Sequence, residues 1–165
     1  MSEQKHTVWK LGDNINTDLL YPSKYLYEDQ SPGVLASHVL EPVIPDFQNT
    51  IKKGDFIVAG ENFGCGSSRE QAATALKYAG CGGIIAKSFS RIFFRNCIAH
   101  ALVSIVCPEA VEALEQGDEI EVDMDAGVIY HGDKTYKFAT YGDYVGGIIK
   151  SGGLIPFLRT RVDHN

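Results

Sequence analysis

A chain of 165 residues, 44% of them hydrophobic and 22% charged, has the length for one domain with its own core and is too apolar to be disordered. Its net charge of −6 argues against a nucleic-acid partner, whose phosphates call for concentrated Lys and Arg. No apolar run approaches a membrane span, and the opening MSEQKHTVWKLGDN carries no signal-type segment, so no membrane association and a cytoplasmic location are expected.

No repeat, low-complexity segment or linker divides residues 1–165, which are read as a single domain. Pro22, Pro32, Pro42 and Pro45 break the first third into short elements. Within it SPGVLASHVLEP predicts a helix with Ser31 as N-cap, Pro32 at the first helical position and Pro42 beyond its end. GDFIVAG, Gly54 to Gly60, is a continuous apolar run suited to a strand buried on both faces. SSREQAATALKYAG then sets Ala72, Ala75, Leu76 and Ala79 at helical spacing before Gly80. GGIIAKSF, Gly82 to Phe89, is a second buried strand, so residues 54–89 predict a βαβ unit. A helix over SRIFFRNCIAHA, a strand over LVSIVC and a helix from Pro108 stopped by Gly117 follow. DEIEVDMDAGVIYHGDKTYKFATY alternates apolar and polar residues around a turn at Asp125-Ala126-Gly127, predicting an antiparallel meander with one wet face. The last expected helix, DYVGGIIKS, ends at Gly152-Gly153. Together these make a layered α/β domain.

Cys65, Cys81, Cys97 and Cys107 form no C-x-x-C pair and match no zinc or iron–sulfur spacing. Cys81, Cys97 and Cys107 read as small buried hydrophobes, whereas Cys65 stands inside a glycine loop. His6, His38, His100, His131 and His164 are scattered, and none is assigned to a metal.

The loop GENFGCGSSRE, Gly60 to Glu70, leads from a buried strand into a helix, an arrangement whose unpaired amides favour an anion. A Walker A loop needs Lys where Ser67 stands, a dinucleotide fingerprint needs a small residue where Arg69 stands, and G-x-S-x-G is absent. A carboxylate or similar small anion remains, with Arg69 able to grip it in two-pronged fashion. Ser67 to Glu70 is also the spelling of a capping box, in which Ser67 only satisfies helix amides.

GENFGCGSSREQAA, together with GDNINTDLLYPSKYL before it and IIAKSFSRIFFRN after it, resembles the swivelling domain of the aconitase superfamily. As a free-standing chain it is similar to the 3-isopropylmalate dehydratase small-subunit family. The likeness runs from about Gly12 to Pro108. It implies a β/β/α swivelling fold and a hydro-lyase in which a hydroxy-diacid loses water and is rehydrated on the neighbouring carbon. It also implies a large-subunit partner that carries the [4Fe-4S] cluster, with no cofactor on this chain. By the same resemblance Ser67 is the catalytic base, Ser68 and Arg69 hold a substrate carboxylate, and Asp18 belongs to the acidic N-T-D element that orients site groups. From the residues alone Asp18 reads equally well as an Asx-type turn residue.

Relatives that act on tricarboxylates carry arginine where this chain has Tyr27, which implies an alkylmalate such as 2-isopropylmalate. A phenol ring offers an alkyl group apolar contact, and a third carboxylate would lack a cation there. A plain surface tyrosine is the competing reading. Gln71 stands where many relatives have histidine, which puts any histidine-assisted proton path in doubt. Arg91 and Arg95 are within reach of substrate or partner, with ion pairing at the surface or toward the partner the preferred reading for each. Dimethylmalate, citramalate or homoaconitate chemistry, a non-catalytic carboxylate-binding module, and a homo-oligomer of the isolated chain stay open as alternatives.

Overall fold

The computed structural model describes residues 4–163, so His164 lies outside the described residues. Its sheet has seven strands in the order β4-β3-β2-β1-β5-β6-β7. The central one, β1 (His6–Lys10), has no counterpart among the sequence expectations. It is a single short strand with one fully buried residue, Val8, and a five-residue alternation is too faint a signal to stand alone. β1 pairs in parallel with β2 (Phe56–Ala59), β2 with β3 (Gly83–Ala86) and β3 with β4 (Val103–Val106). On the other side of β1 the meander β5 (Glu119–Asp123), β6 (Val128–His131) and β7 (Lys134–Lys137) is antiparallel throughout. The alternating stretch thus makes three strands and two turns, the second at Gly132.

Successive residues of each parallel strand point to opposite faces, and this divides the core in two. Ile57, Ala59, Ile84 and Ala86 face α4 (Glu70–Tyr78) and α5 (Arg91–Ala99), packing on Ala72, Ala75, Leu76, Phe93 and Cys97. Phe56, Val58, Ile85 and Ile105 face the other way, onto α6 (Pro108–Ala113) and onto Ile120 and Ile129 of the meander. The sheet therefore curls until its ends meet. The Tyr141 hydroxyl, just past β7, donates to the Ser104 carbonyl of β4 at 2.7 Å and accepts from the Ser104 amide at 2.8 Å. Burial pushes that phenol up to about 12. The result is the layered β/β/α arrangement, with the βαβ unit over 54–89 in place.

Several boundaries move. The helix from Pro32 ends at His38, because Val39 turns extended and Leu40 adopts a positive φ of 55° well before Pro42. α6 stops at Ala113, not at Gly117. Lys10 Nζ reaches across and donates to the carbonyls of Val111 and Leu114, ending the helix from outside. α7 (Asp143–Lys150) is not the last helix, since α8 (Leu154–Val162) follows Gly153. Two single-turn helices add to the first third, α1 (Thr17–Leu20) and α3 (Phe47–Thr50), on either side of the expected Pro32–His38 helix, α2; one turn carries no periodic signal.

One buried carboxylate ties the N-terminal strand to the rest. Asp55, 4% exposed, accepts from the Thr7 amide at 3.1 Å, the Trp9 indole at 3.1 Å and the Lys52 amide at 2.9 Å. Asp55→Ala strips three donors of their partner and should cost about 3 kcal/mol. Urea unfolding is expected to show a lower midpoint with an unchanged slope; a midpoint within experimental error of wild type would mean that water replaces the carboxylate.

Candidate functional site

The parallel strands β1, β2 and β3 bring their C-terminal ends to one edge of the sheet, the usual place for ligands in open α/β sheets. There the chain after β1 runs beside the glycine loop after β2. Gly60 N bonds Gly12 O at 3.0 Å, Asn14 N bonds Glu61 O, Gly64 N bonds Ile15 O, and Thr17 N bonds Cys65 O, the last three at 2.8 Å. The loop is pinned from the β3 side as well, where Asn62 N donates to Ser88 Oγ at 2.7 Å and Ser90 N to Phe63 O at 2.9 Å. Glycine is required at two points. Gly64 has φ 81°, and a Cβ there would lie 2.2 Å from the Phe93 ring; Gly66 has φ 100° beside Thr17. The permissive backbone lets the loop pass under α5 and re-emerge with its serines outward.

Ser67 and Ser68 are exposed, and among the described residues neither hydroxyl has a hydrogen-bond partner. The capping-box spelling is not used. α4 begins at Glu70, its N-cap is Arg69 in extended conformation (φ −126°, ψ 115°), and no side chain caps it. Ser67, Ser68 and Arg69 line a shallow cleft with Thr17, Gly66 and the first turns of α5, through Ser90, Ile92 and Asn96. Two nine-residue helices thus direct their N-terminal ends at one cleft, which favours negative charge there.

Arg69 is held ready. Its Nη1 donates to Asp18 Oδ1 at 3.0 Å and to the Tyr21 carbonyl at 3.1 Å, and the side chain is only 15% exposed. Both bonds use one nitrogen, and among the described residues no hydrogen bond engages the Nη2–Nε edge. Asp18 is at the same time the partner of the Ser23 amide, at 2.9 Å, closing the Ser23–Tyr25 turn. It closes a turn and pairs with Arg69 at once, though the turn bond runs to the fifth residue on and makes no Asx turn. The Ser23 amide first, and the Arg69 guanidinium next, hold the Asp18 carboxyl below the ordinary aspartate range. Its grip on Arg69 therefore persists at neutral pH and is lost only as acid protonates it through that lowered range.

Tyr27 does not join this group by contact. It stands 98% exposed on the loop after the Ser23–Tyr25 turn, and that loop is tied to α4 through Gln30 and Gln71. Arg91 and Arg95 are exposed, and among the described residues neither makes an ion pair. Sequence reasoning missed Ser90, Ile92, Asn96 and Thr17 as neighbours of the loop, because only the β3–α5 turn and α1 bring them there. The repeated serines of KSFS were the single available hint.

Cys81, Cys97 and Cys107 are buried, as their spacing suggests, and Cys65 is partly exposed. Burial pushes the Cys81 and Cys97 thiols up to about 12, and Cys107 packs on the opposite face of the sheet. Among the described residues no group of three or more His, Cys, Asp or Glu could hold a metal ion. Nor is any described helix long and apolar enough to cross a membrane.

Comparison with known proteins follows the same lines. Residues 7–110 match the Aconitase C-terminal domain family. The chain is 48% identical over 154 residues to "3-isopropylmalate dehydratase small subunit 1" of Archaeoglobus fulgidus, covering 92% of this chain and 94% of that protein. It is 46% identical over 157 residues to the 3-isopropylmalate dehydratase small subunit of Heliobacterium modesticaldum, 94% of each being covered. A crystal structure of 3-isopropylmalate dehydratase from Methanocaldococcus jannaschii superposes with a TM-score of 0.89 at 42% identity, over 95% of this chain and 93% of that one.

Proposed function

The chain belongs to the aconitase C-terminal domain family, among the 3-isopropylmalate dehydratase small subunits. From that premise we infer that it is the small subunit of a cytoplasmic hydro-lyase that interconverts 2- and 3-isopropylmalate in leucine biosynthesis, completed by a large subunit. The observation that carries the reading is Arg69, locked by Asp18 and the Tyr21 carbonyl at the rim of the Ser67–Ser68 cleft. A pre-aimed guanidinium beside two unbonded hydroxyls suits a carboxylate whose neighbouring carbon must lose a proton.

In this reading the Nη2–Nε edge of Arg69 takes one carboxylate of the substrate, and the Ser68 hydroxyl donates to the same group. That sets the adjacent C–H before Ser67. A serine hydroxyl is far too weak a base in water. Here it sits ahead of α4 in a cleft that also receives the end of α5 and holds Arg69, so its anion is favoured once a partner surface removes the water. The large subunit supplies that cover. The four cysteines do not fit an iron–sulfur cluster: Cys81 and Cys97 are buried on one face of the sheet with their thiols raised by burial, Cys107 on the other, and Cys65 lies apart in the glycine loop. A [4Fe-4S] cluster is accordingly assigned to the large subunit, and no step on this chain runs through one.

The test is anaerobic co-purification with a cluster-loaded large subunit, followed by a panel of hydroxy-diacids. Interconversion of the two isopropylmalates is expected from the complex and from neither chain alone. A chain that binds alkylmalates tightly by itself and never turns over with the partner would instead be a carboxylate-binding module. Within the panel, Tyr27→Arg should shift the ratio of kcat/KM values toward a tricarboxylate about tenfold or more. Equal loss on every acid would make Tyr27 structural.

A further inference from the structure

Tyr27 makes no packing contact that would fix its ring, yet the backbone that presents it is tightly framed. Gln30 Nε2 donates to the carbonyls of Glu28 at 2.8 Å and Leu26 at 3.5 Å, the two residues that flank Tyr27. While the nitrogen of that amide donates to the two carbonyls, its oxygen accepts from Gln71 Nε2 at 3.1 Å. Gln71 is the second residue of α4, two places from Arg69. One carboxamide thus closes the loop on itself and ties it to the helix that begins at the carboxylate grip. The loop's other anchor is the Glu28 carboxylate, which meets His38 Nε2 at 3.4 Å, while His38 stacks on Tyr25 with ring centroids 3.5 Å apart.

We propose that Gln71 is a positioning residue for substrate choice: through Gln30 it sets where Tyr27 stands relative to Arg69, and so which alkyl group fits beside the held carboxylate. The inference rests on the reading of Tyr27 as the alkyl contact. The bond needs a donor at position 71. Gln71→Glu would set two acceptors against each other and release the loop as Gln71→Ala does, whereas Gln71→His keeps an N–H of similar reach.

The experiment uses the complex with its large subunit, and compares 2-isopropylmalate with the smaller 2-methylmalate. Gln71→Ala and Gln71→Glu should raise KM for 2-isopropylmalate about three- to tenfold with kcat within about twofold, and should narrow the preference over 2-methylmalate. Gln71→His should restore both. A second readout needs no substrate: in the isolated chain, hydrogen exchange at the Glu28 amide, which bonds the Tyr25 carbonyl at 3.1 Å, should quicken in Gln71→Ala. Unchanged exchange overturns the proposal. So does a preference that Tyr27→Ala alters and Gln71→Ala does not. If Tyr27→Ala leaves the preference untouched, the reading of Tyr27 fails, and the role given to Gln71 falls with it.

Discussion

Ser67→Ala should lower turnover of the assembled enzyme at least about a thousandfold while leaving the assembly and the fold intact. The two halves of that expectation come from different observations. The hydroxyl stands in the cleft that Arg69 and the first turn of α5 share, and in the proposed role of base its removal takes away the proton transfer itself. It is also exposed and bonded to nothing among the described residues, so its loss should change stability by less than about 0.5 kcal/mol. A capping serine would behave in the opposite way, costing about 1 kcal/mol of stability and little activity. Steady-state kinetics and urea midpoints on the same protein separate the two. Activity within tenfold of wild type would remove Ser67 from the chemistry.

Arg69→Lys should raise KM about ten- to a hundredfold with a much smaller change in kcat. The guanidinium spends Nη1 on Asp18 and the Tyr21 carbonyl, and the proposed reading gives its second edge to the substrate carboxylate. A lysine ammonium is a point charge that cannot serve both at once, so either the carboxylate loses its fork or Tyr21's carbonyl loses its donor. Asp18→Asn should move KM in the same direction by less, because the Tyr21 carbonyl still aims the arginine. Asp18→Asn should affect stability little, since Asp18 is 61% exposed and such pairs contribute roughly 0–1 kcal/mol. An unchanged KM in Arg69→Lys would send the carboxylate to another part of the molecule.

Both expectations depend on residues whose identity is plain in the sequence and whose relation is not. GCGSSRE is the spelling on which the anion site is proposed, and the NTD element is visible about fifty residues earlier, but nothing in their spacing says that Asp18 pairs with Arg69. That bond exists because β1 and β2 lie side by side in parallel, which sets the segment after one against the loop after the other. The capping-box spelling shows the converse. Four residues satisfied a local rule, yet the loop turns at Gly64 under Phe93 and at Gly66 beside Thr17, Arg69 is still extended, and the helix starts only at Glu70.

The sequence by itself determined the βαβ unit, the wet-faced meander, the burial of three cysteines and the glycine-dependent turn of the loop between β2 and α4. Each is written in local periodicity or in residues whose properties travel with them, such as glycine's freedom. Only the tertiary structure decided the central place of β1, the curl that brings Tyr141 back to Ser104, the pairing of Arg69 with Asp18, and the tie from Gln71 through Gln30 to the loop of Tyr27. These are contacts between residues tens of positions apart, fixed by which strands pair and how far the sheet twists, and a five-residue strand or an exposed glutamine carries no local mark of the partner it will meet.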